Sequence, residues 1–212
     1  INKNIIIANP NAPTGIALTL SQIEEIVKSN PNNVVIIDEA YVDFGAQSAI
    51  SLVDIYDNLI VTQTFSKSRS LAGARLGMGF ASKELIKDLN TVRFSTNPYN
   101  VNRMTSAAGV GALNDDKYFK DSCAKIIKTR AWTSEQLASL GFFVLPSSAN
   151  FVLASLNKIG GEELYLALKQ RGILVRHFSS ARLSDYNRIT IGSDEEMQAL
   201  ICAIKQILEE KK

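Results

Sequence analysis

Lys67 lies in Thr64-Phe65-Ser66-Lys67-Ser68-Arg69-Ser70, directly after the apolar run Leu59-Ile60-Val61, and Arg75 follows eight positions later. A protonated amine is a poor nucleophile, and a lysine near other cations or out of water gives up its proton more readily. Arg69 and Arg75 are the cations on offer. The hydroxyls of Thr64, Ser66, Ser68 and Ser70, joined by an arginine, also suit an anionic phosphate. A helix beginning near Leu71 would add its free amide groups to that cradle. Taken alone, the same stretch also reads as a surface loop rich in serine and basic residues.

A second apolar run, Val34-Val35-Ile36-Ile37, ends in Asp38-Glu39-Ala40-Tyr41. A carboxylate at the end of an apolar strand is a metal ligand, a partner for a buried cation or a helix cap. Tyr41, three residues on, brings a phenol to the same place. With a lysine and a phosphate cradle, this pair suits pyridoxal phosphate: the acid keeps the ring nitrogen protonated, the phenol bonds the ring hydroxyl, and the lysine takes the aldehyde as a Schiff base. An apolar run followed by Asp-Glu also describes the second motif of P-loop ATPases. That reading needs G-x-x-x-x-G-K-[ST]; the chain contains no Gly-Lys pair, so the reading survives only weakly, with the motif supplied by an earlier segment. Gly73-Ala-Arg-Leu-Gly77-Met-Gly79 matches a dinucleotide fingerprint poorly and reads as easing strand packing. Arg176 and Arg188 form another constellation, each beside a short apolar strand, with guanidinium forks suited to carboxylate or phosphate. For either arginine alone, a surface salt bridge is the plainer reading. His177, the single histidine, reads as structural.

These residues must be held by elements that the spacing predicts. A strand over 3–8 leads into the turn-rich Asn9-Pro-Asn-Ala-Pro-Thr-Gly15, and a helix follows from Thr19, boxed by Gln22, to before Asn30-Pro31. Strands are expected over 34–38, 59–62 and 76–80; the first lacks alternation, which predicts burial on both faces. Strand ends in an open α/β sheet converge on one crevice, where ligands bind. Helices are expected over 83–90, 101–113 and 115–140, then strands over 142–144, 151–153, 173–175 and 188–191. Between and after these strands come helices over 161–171 and 194–210, the latter opened by a Ser193/Glu196 capping box. The resulting fold class is α/β: a mostly parallel sheet within 1–95, connecting helices over 96–140 and a small α+β domain over 141–212.

At 212 residues and 46% hydrophobic, the chain can bury a sizeable core. A formal net charge of +2 gives no reason to expect nucleic acid or a membrane as partner. No apolar stretch approaches the ~20 residues needed to span a bilayer. Cys123 and Cys202 show no metal or redox spacing, as expected of reduced cysteines in a cytoplasmic protein. The chain opens at Ile1 without methionine and almost directly into a strand, which suggests the later part of a longer polypeptide.

The motifs resemble those of fold type I aminotransferases, most closely the histidinol-phosphate aminotransferases. Asn9-Pro-Asn-Ala-Pro-Thr-Gly15 resembles that family's asparagine–proline–glycine turn, Ile37-Asp-Glu-Ala-Tyr41 its cofactor acid and phenol, and Thr64 to Gly77 its lysine segment. Val175-Arg-His-Phe and Arg182 to Gly192 resemble its substrate-arginine segments, so the match runs through essentially the whole chain. The resemblance implies Lys67 as Schiff-base lysine and proton shuttle, Asp38 on the pyridine nitrogen and Tyr41 on the ring hydroxyl. It implies Thr64, Ser66 and Arg75 on the cofactor phosphate, Arg188 on the donor's α-carboxylate and Arg176 on the distal carboxylate or phosphate. The implied reaction passes glutamate's amino group to imidazole-acetol phosphate. Ala12 stands where the family often has asparagine, which leaves that contact to Asn11 or to Tyr41 alone. The family's chain begins well before Ile1, so the resemblance implies an incomplete large domain and a homodimer when full length. A decarboxylase of amino-acid phosphates or another aminotransferase would share Lys67, Asp38 and Arg75, and a truncated chain without activity is the non-enzymatic alternative.

Overall fold

The computed structural model describes residues 3–99 and 101–211; the Ile1-Asn2 opening of the chain lies outside them. The fold divides into two units, one of residues 1–11 and 17–122, the other of residues 12–16 and 123–212.

In the first unit, strands β1 (Ile5–Ala8), β2 (Val35–Asp38) and β3 (Leu59–Thr64) run parallel, and β4 (Gly77–Ala81) joins antiparallel at the edge of β3. Helix α1 (Leu20–Lys28) starts where the sequence predicts. Thr19 Oγ1 accepts from the Gln22 amide and Gln22 Oε1 accepts from the Thr19 amide, satisfying two of the donors that a helix start leaves open. Its buried residues Ile23 and Val27 pack on Val35, Ile37, Leu59 and Val61, with Ala49 and Leu52 added from a 3-10 turn (Ala49–Leu52).

β2 corrects the expectation of two buried faces. Val35 and Ile37 are buried, whereas Ile36 and Asp38 are half-buried, and Ile6 on β1 is 72% exposed. A run of β-branched residues follows from strand preference on either kind of face, so the run alone does not report how many faces are covered.

Helix α2 (Lys83–Thr96) runs six residues past the expected end at Asn90. The hydroxyls of Thr91, Ser95 and Thr96 donate to carbonyls four residues back, so these polar residues are absorbed into the helix. Helices α3 (Arg103–Asn114) and α4 (Asp116–Ser139) follow, and the chain leaves the first unit within α4. Among the described residues no helix is long and apolar enough to cross a membrane.

The second unit holds an antiparallel sheet ordered β5-β6-β8-β7, built from β5 (Phe143–Val144), β6 (Phe151–Ser155), β7 (Arg176–His177) and β8 (Tyr186–Thr190). Helices α5 (Gly161–Gln170) and α6 (Asp194–Glu209) pack with it, around Val152, Leu164, Leu168, Ile189, Leu200 and Ile204. The Ser193/Glu196 capping box forms as predicted. The expected strand over 173–175 does not: Ile173 and Val175 lean on the core, Leu174 faces out, and pairing with β8 begins only at Arg176. Apolar alternation there is satisfied by packing, without a ladder partner. The turn after β1 also belongs here in part. The Ser148 amide donates to the Gly15 carbonyl at 2.8 Å, and Gly15 sits at φ +79° where a Cβ would lie 2.3 Å from Ser147 Oγ, so only glycine fits.

Candidate active site

The register explains why distant sequence segments meet. Ala8, Asp38 and Thr62 are successive Cα partners across β1, β2 and β3, and Thr64 opposes Gly77 at the start of β4. The C-terminal ends of three parallel strands and the beginning of β4 therefore share one edge. Asn11, Asp38, Tyr41, Thr64, Ser66, Lys67 and Arg75 are all on that edge or within a few residues of it.

Side-chain alternation then sorts the edge into two faces. On one, Thr62 Oγ1 donates to Asp38 Oδ1 at 3.4 Å, and Thr64 lies two residues further along the same side. Lys67 Nζ sits 5.4 Å from the centre of the Tyr41 ring, so the amine and the phenol are brought together. Thr64 Oγ1 accepts from the Ser66 amide at 3.1 Å and donates to the Leu76 carbonyl at 3.4 Å, which joins the two ends of the lysine loop. Arg75 is exposed, adopts left-handed φ 54°, and donates from Nη1 to the Ala72 carbonyl. Asn11 is exposed in the turn after β1.

Three expectations about the segment around Lys67 are not met. No α-helix starts near Leu71: there is only a three-residue 3-10 turn, Ala72–Ala74, bracketed by left-handed Ser70 and Arg75 that break helical continuation on both sides. Arg69 does not join the cradle either. Its Nη1 donates to the Ala112 carbonyl of α3 at 2.8 Å, and its guanidinium stacks 4.0 Å from the centre of the Phe119 ring on α4. Ser68 likewise turns away, donating to Asp43 at 2.5 Å.

On the opposite face lies a residue that sequence reasoning missed. Glu39 is 2% exposed and accepts from Ser48 Oγ and the Ala49 amide, both at 2.6 Å, and from Gln63 Nε2 at 2.9 Å. The signal was available: in Asp38-Glu39 one carboxylate must face each way. Asn9 is buried on this same face, where its Oδ1 accepts from the Leu18 amide at 2.7 Å. It therefore does not replace the amide missing at Ala12.

In the second unit Arg176 and Arg188 are direct partners across β7 and β8. Both guanidinium carbons lie near the Phe178 ring centre, at 5.5 and 6.0 Å, and Arg188 also lies 5.0 Å from that of Phe151. Arg188 Nε is buried without a hydrogen-bond partner, and among the described residues no carboxylate pairs with either arginine. Two like charges opposite one another, with no counter-ion, are suited to receiving anions. The His177 ring stacks on Tyr165, with centroids 6.1 Å apart. Among the described residues no cluster of three His, Cys, Asp or Glu side chains could hold a metal.

Comparison with known proteins agrees with this layout. The family described as aminotransferase class I and II matches residues 1–204. The histidinol-phosphate aminotransferase of Brachyspira hyodysenteriae is 51% identical over 210 residues, covering 99% of this chain and 59% of that protein. The crystal structure of the enzyme of that name from Clostridium acetobutylicum superposes with a TM-score of 0.90 at 26% identity, over 99% of this chain and 65% of that one. That from Sinorhizobium meliloti, in complex with pyridoxal-5'-phosphate, superposes at 0.86 and 26% identity, over 100% of this chain and 58% of that one. The chain thus spans less than two thirds of the length of these relatives. It belongs to the class I and II aminotransferases of fold type I and is homologous to the histidinol-phosphate aminotransferases.

Proposed function

We propose that this chain forms the lysine-bearing part of a pyridoxal-phosphate-dependent aminotransferase that interconverts histidinol phosphate and imidazole-acetol phosphate, with glutamate and 2-oxoglutarate as the other pair. The observation that carries the reading is the shared strand edge: Asp38 and Thr64 lie at strand ends there, Ser66 and Arg75 lie within two residues of it, and Lys67 Nζ sits 5.4 Å from the Tyr41 ring centre. That donor set fits the cofactor's chemistry group by group. When bound, the cofactor supplies an electron-withdrawing ring and an aldehyde that takes up and returns an amino group.

The chain's own residues do the rest. Asp38 holds a proton at the ring nitrogen, and Tyr41 Oη bonds the ring oxygen, alone or with Asn11 because Ala12 has no amide to offer. Thr64, Ser66 and Arg75 bind the phosphate. Lys67 Nζ would take the proton from the nitrogen-bearing carbon of the amino donor in one half-reaction and deliver one to that carbon of the acceptor in the other, acting as base and acid in turn. Arg188 takes the α-carboxylate of the amino donor, and Arg176 takes the distal carboxylate or phosphate, each by a charge-assisted fork. The orphaned Arg188 Nε supports this role, since a buried donor of this kind is completed by an anion. The same reading makes the full-length protein a cytoplasmic homodimer.

The test is intact mass and visible absorbance of the 212-residue chain with pyridoxal phosphate and borohydride, beside Lys67→Ala. A trapped adduct on Lys67 that the variant lacks supports cofactor binding. Turnover of histidinol phosphate with 2-oxoglutarate would then support the substrate pair. A folded chain that traps no adduct at Lys67 overturns the reading for these residues.

A further inference from the structure

Lys67 is exposed, and the contact of its amine is with the face of the Tyr41 ring. A side chain with four rotatable bonds in an irregular loop holds such a position only if the loop itself is fixed. The ties of that loop are unequal. Within it, the Ser70 amide donates to the Lys67 carbonyl and the Leu71 amide to the Phe65 carbonyl. Arg69 fastens it outward, to α3 and α4. The link to the Tyr41 side is made by Ser68, the residue next to Lys67. Ser68 is 5% exposed and its Oγ donates to Asp43 Oδ2 at 2.5 Å. Asp43 lies in the 3-10 turn Val42–Phe44, which Tyr41 opens and which Val42 and Phe44 bury into the unit.

We propose that Asp43 and Ser68 are positioning residues: their bond clasps the turn bearing Tyr41 to the loop bearing Lys67 and so sets the amine over the ring. The turn is anchored by two buried apolar side chains, so it is the rigid partner, and the lysine loop is registered against it. A charge-assisted bond between a buried hydroxyl and a half-buried carboxylate has the strength and direction for this. The proposal rests on the reading of Lys67 as the reactive amine, and its test separates the two.

The experiment is competitive acylation of the 212-residue chain with acetic anhydride, with Lys67 labelling measured by mass spectrometry against exposed Lys87 as internal reference. The Tyr41 ring covers one side of the amine, so release from it opens Lys67 to the reagent. In Asp43→Ala and Ser68→Ala the Lys67/Lys87 ratio should rise about two- to fivefold. Borohydride trapping of pyridoxal phosphate at Lys67 should fall in the same variants. Asp43→Asn keeps an oxygen that accepts from Ser68 and should restore both readouts, and the double alanine variant should be no worse than either single one. A ratio unchanged in folded Ser68→Ala, or a parallel rise at every lysine, overturns the clasp; Ser68→Ala and Asp43→Asn decide the matter if Asp43→Ala does not fold. Acylation needs no cofactor. If the unsubstituted chain traps no cofactor, the functional reading fails and the clasp is still judged on the acylation ratio.

Discussion

Replacing Arg188 by methionine should make the second unit more stable while removing its response to anions. Arg188 Nε is buried without a partner, a burden of about 1–3 kcal/mol. Both guanidinium carbons lie within 6.0 Å of the Phe178 ring centre, so they are at most about 12 Å apart. At ~12 Å two unit charges repel by about 0.3 kcal/mol at water's dielectric constant and ~1.4 kcal/mol at an effective value of ~20. Arg176 is exposed, which places the repulsion near the low end. Against these gains stand the contacts with Phe151 and Phe178, roughly 0.5–1 kcal/mol each. Methionine keeps much of the volume and adapts to the gap. The balance is a stabilisation of about 1 kcal/mol, or roughly 4–8 °C in the Tm of a unit of this size. Trp132 is the single tryptophan and packs against the core of this unit, so its fluorescence in urea follows the transition directly. Inorganic phosphate and succinate should raise the midpoint of the unsubstituted chain, by about 2.7 kcal/mol at a hundredfold excess over Kd, and leave the variant unmoved. A variant less stable by more than ~1 kcal/mol, or one that keeps the full anion response, would refute the idea that this arginine is held at a cost for a ligand.

The two carboxylates of Asp38-Glu39 should separate cleanly. Glu39→Ala strips the acceptor from three donors and should cost about 3–5 kcal/mol in urea unfolding, whereas half-buried Asp38→Ala should change stability by no more than ~1 kcal/mol; equal losses would show that the two faces of β2 are not divided as described. Glu24 offers a pH test. The Tyr56 hydroxyl at 2.6 Å, and then Lys28 at 2.9 Å, hold its carboxyl below the ordinary carboxylate range. A depressed folded value means that this contribution is present above the unfolded pKa and is lost as pH falls through the folded one. Tyr56→Phe should therefore move the Glu24 titration upward and shrink that acid-side loss, as read by carboxyl NMR; an unmoved midpoint would remove Tyr56 as the main cause.

What the sequence determined by itself was whatever depends on neighbours along the chain. Thr19 with Gln22, and Ser193 with Glu196, announced two helix starts because a capping box is closed within four residues. The apolar runs before Asp38 and Thr64 placed an acid and a lysine segment at strand ends, and parallel alternation put those ends on one edge. The motifs around Lys67 carried the family. Tertiary structure decided the rest, because it turns on which face is covered and which partner a side chain finds. Arg69 and Arg75 look equivalent in sequence, yet one is spent on Ala112 and Phe119 while the other is exposed and reaches only the local Ala72 carbonyl among the bonds described. Ile173-Leu174-Val175 has the alternation of a strand but lies outside the ladder, which begins at Arg176 and sets that residue opposite Arg188. Glu39 and Asp43 gained their roles from donors brought in by folding: Ser48, Ala49 and Gln63 for one, Ser68 for the other. A hydrogen bond between residues 25 apart leaves no periodic trace in the chain, whereas a cap or an alternating strand does.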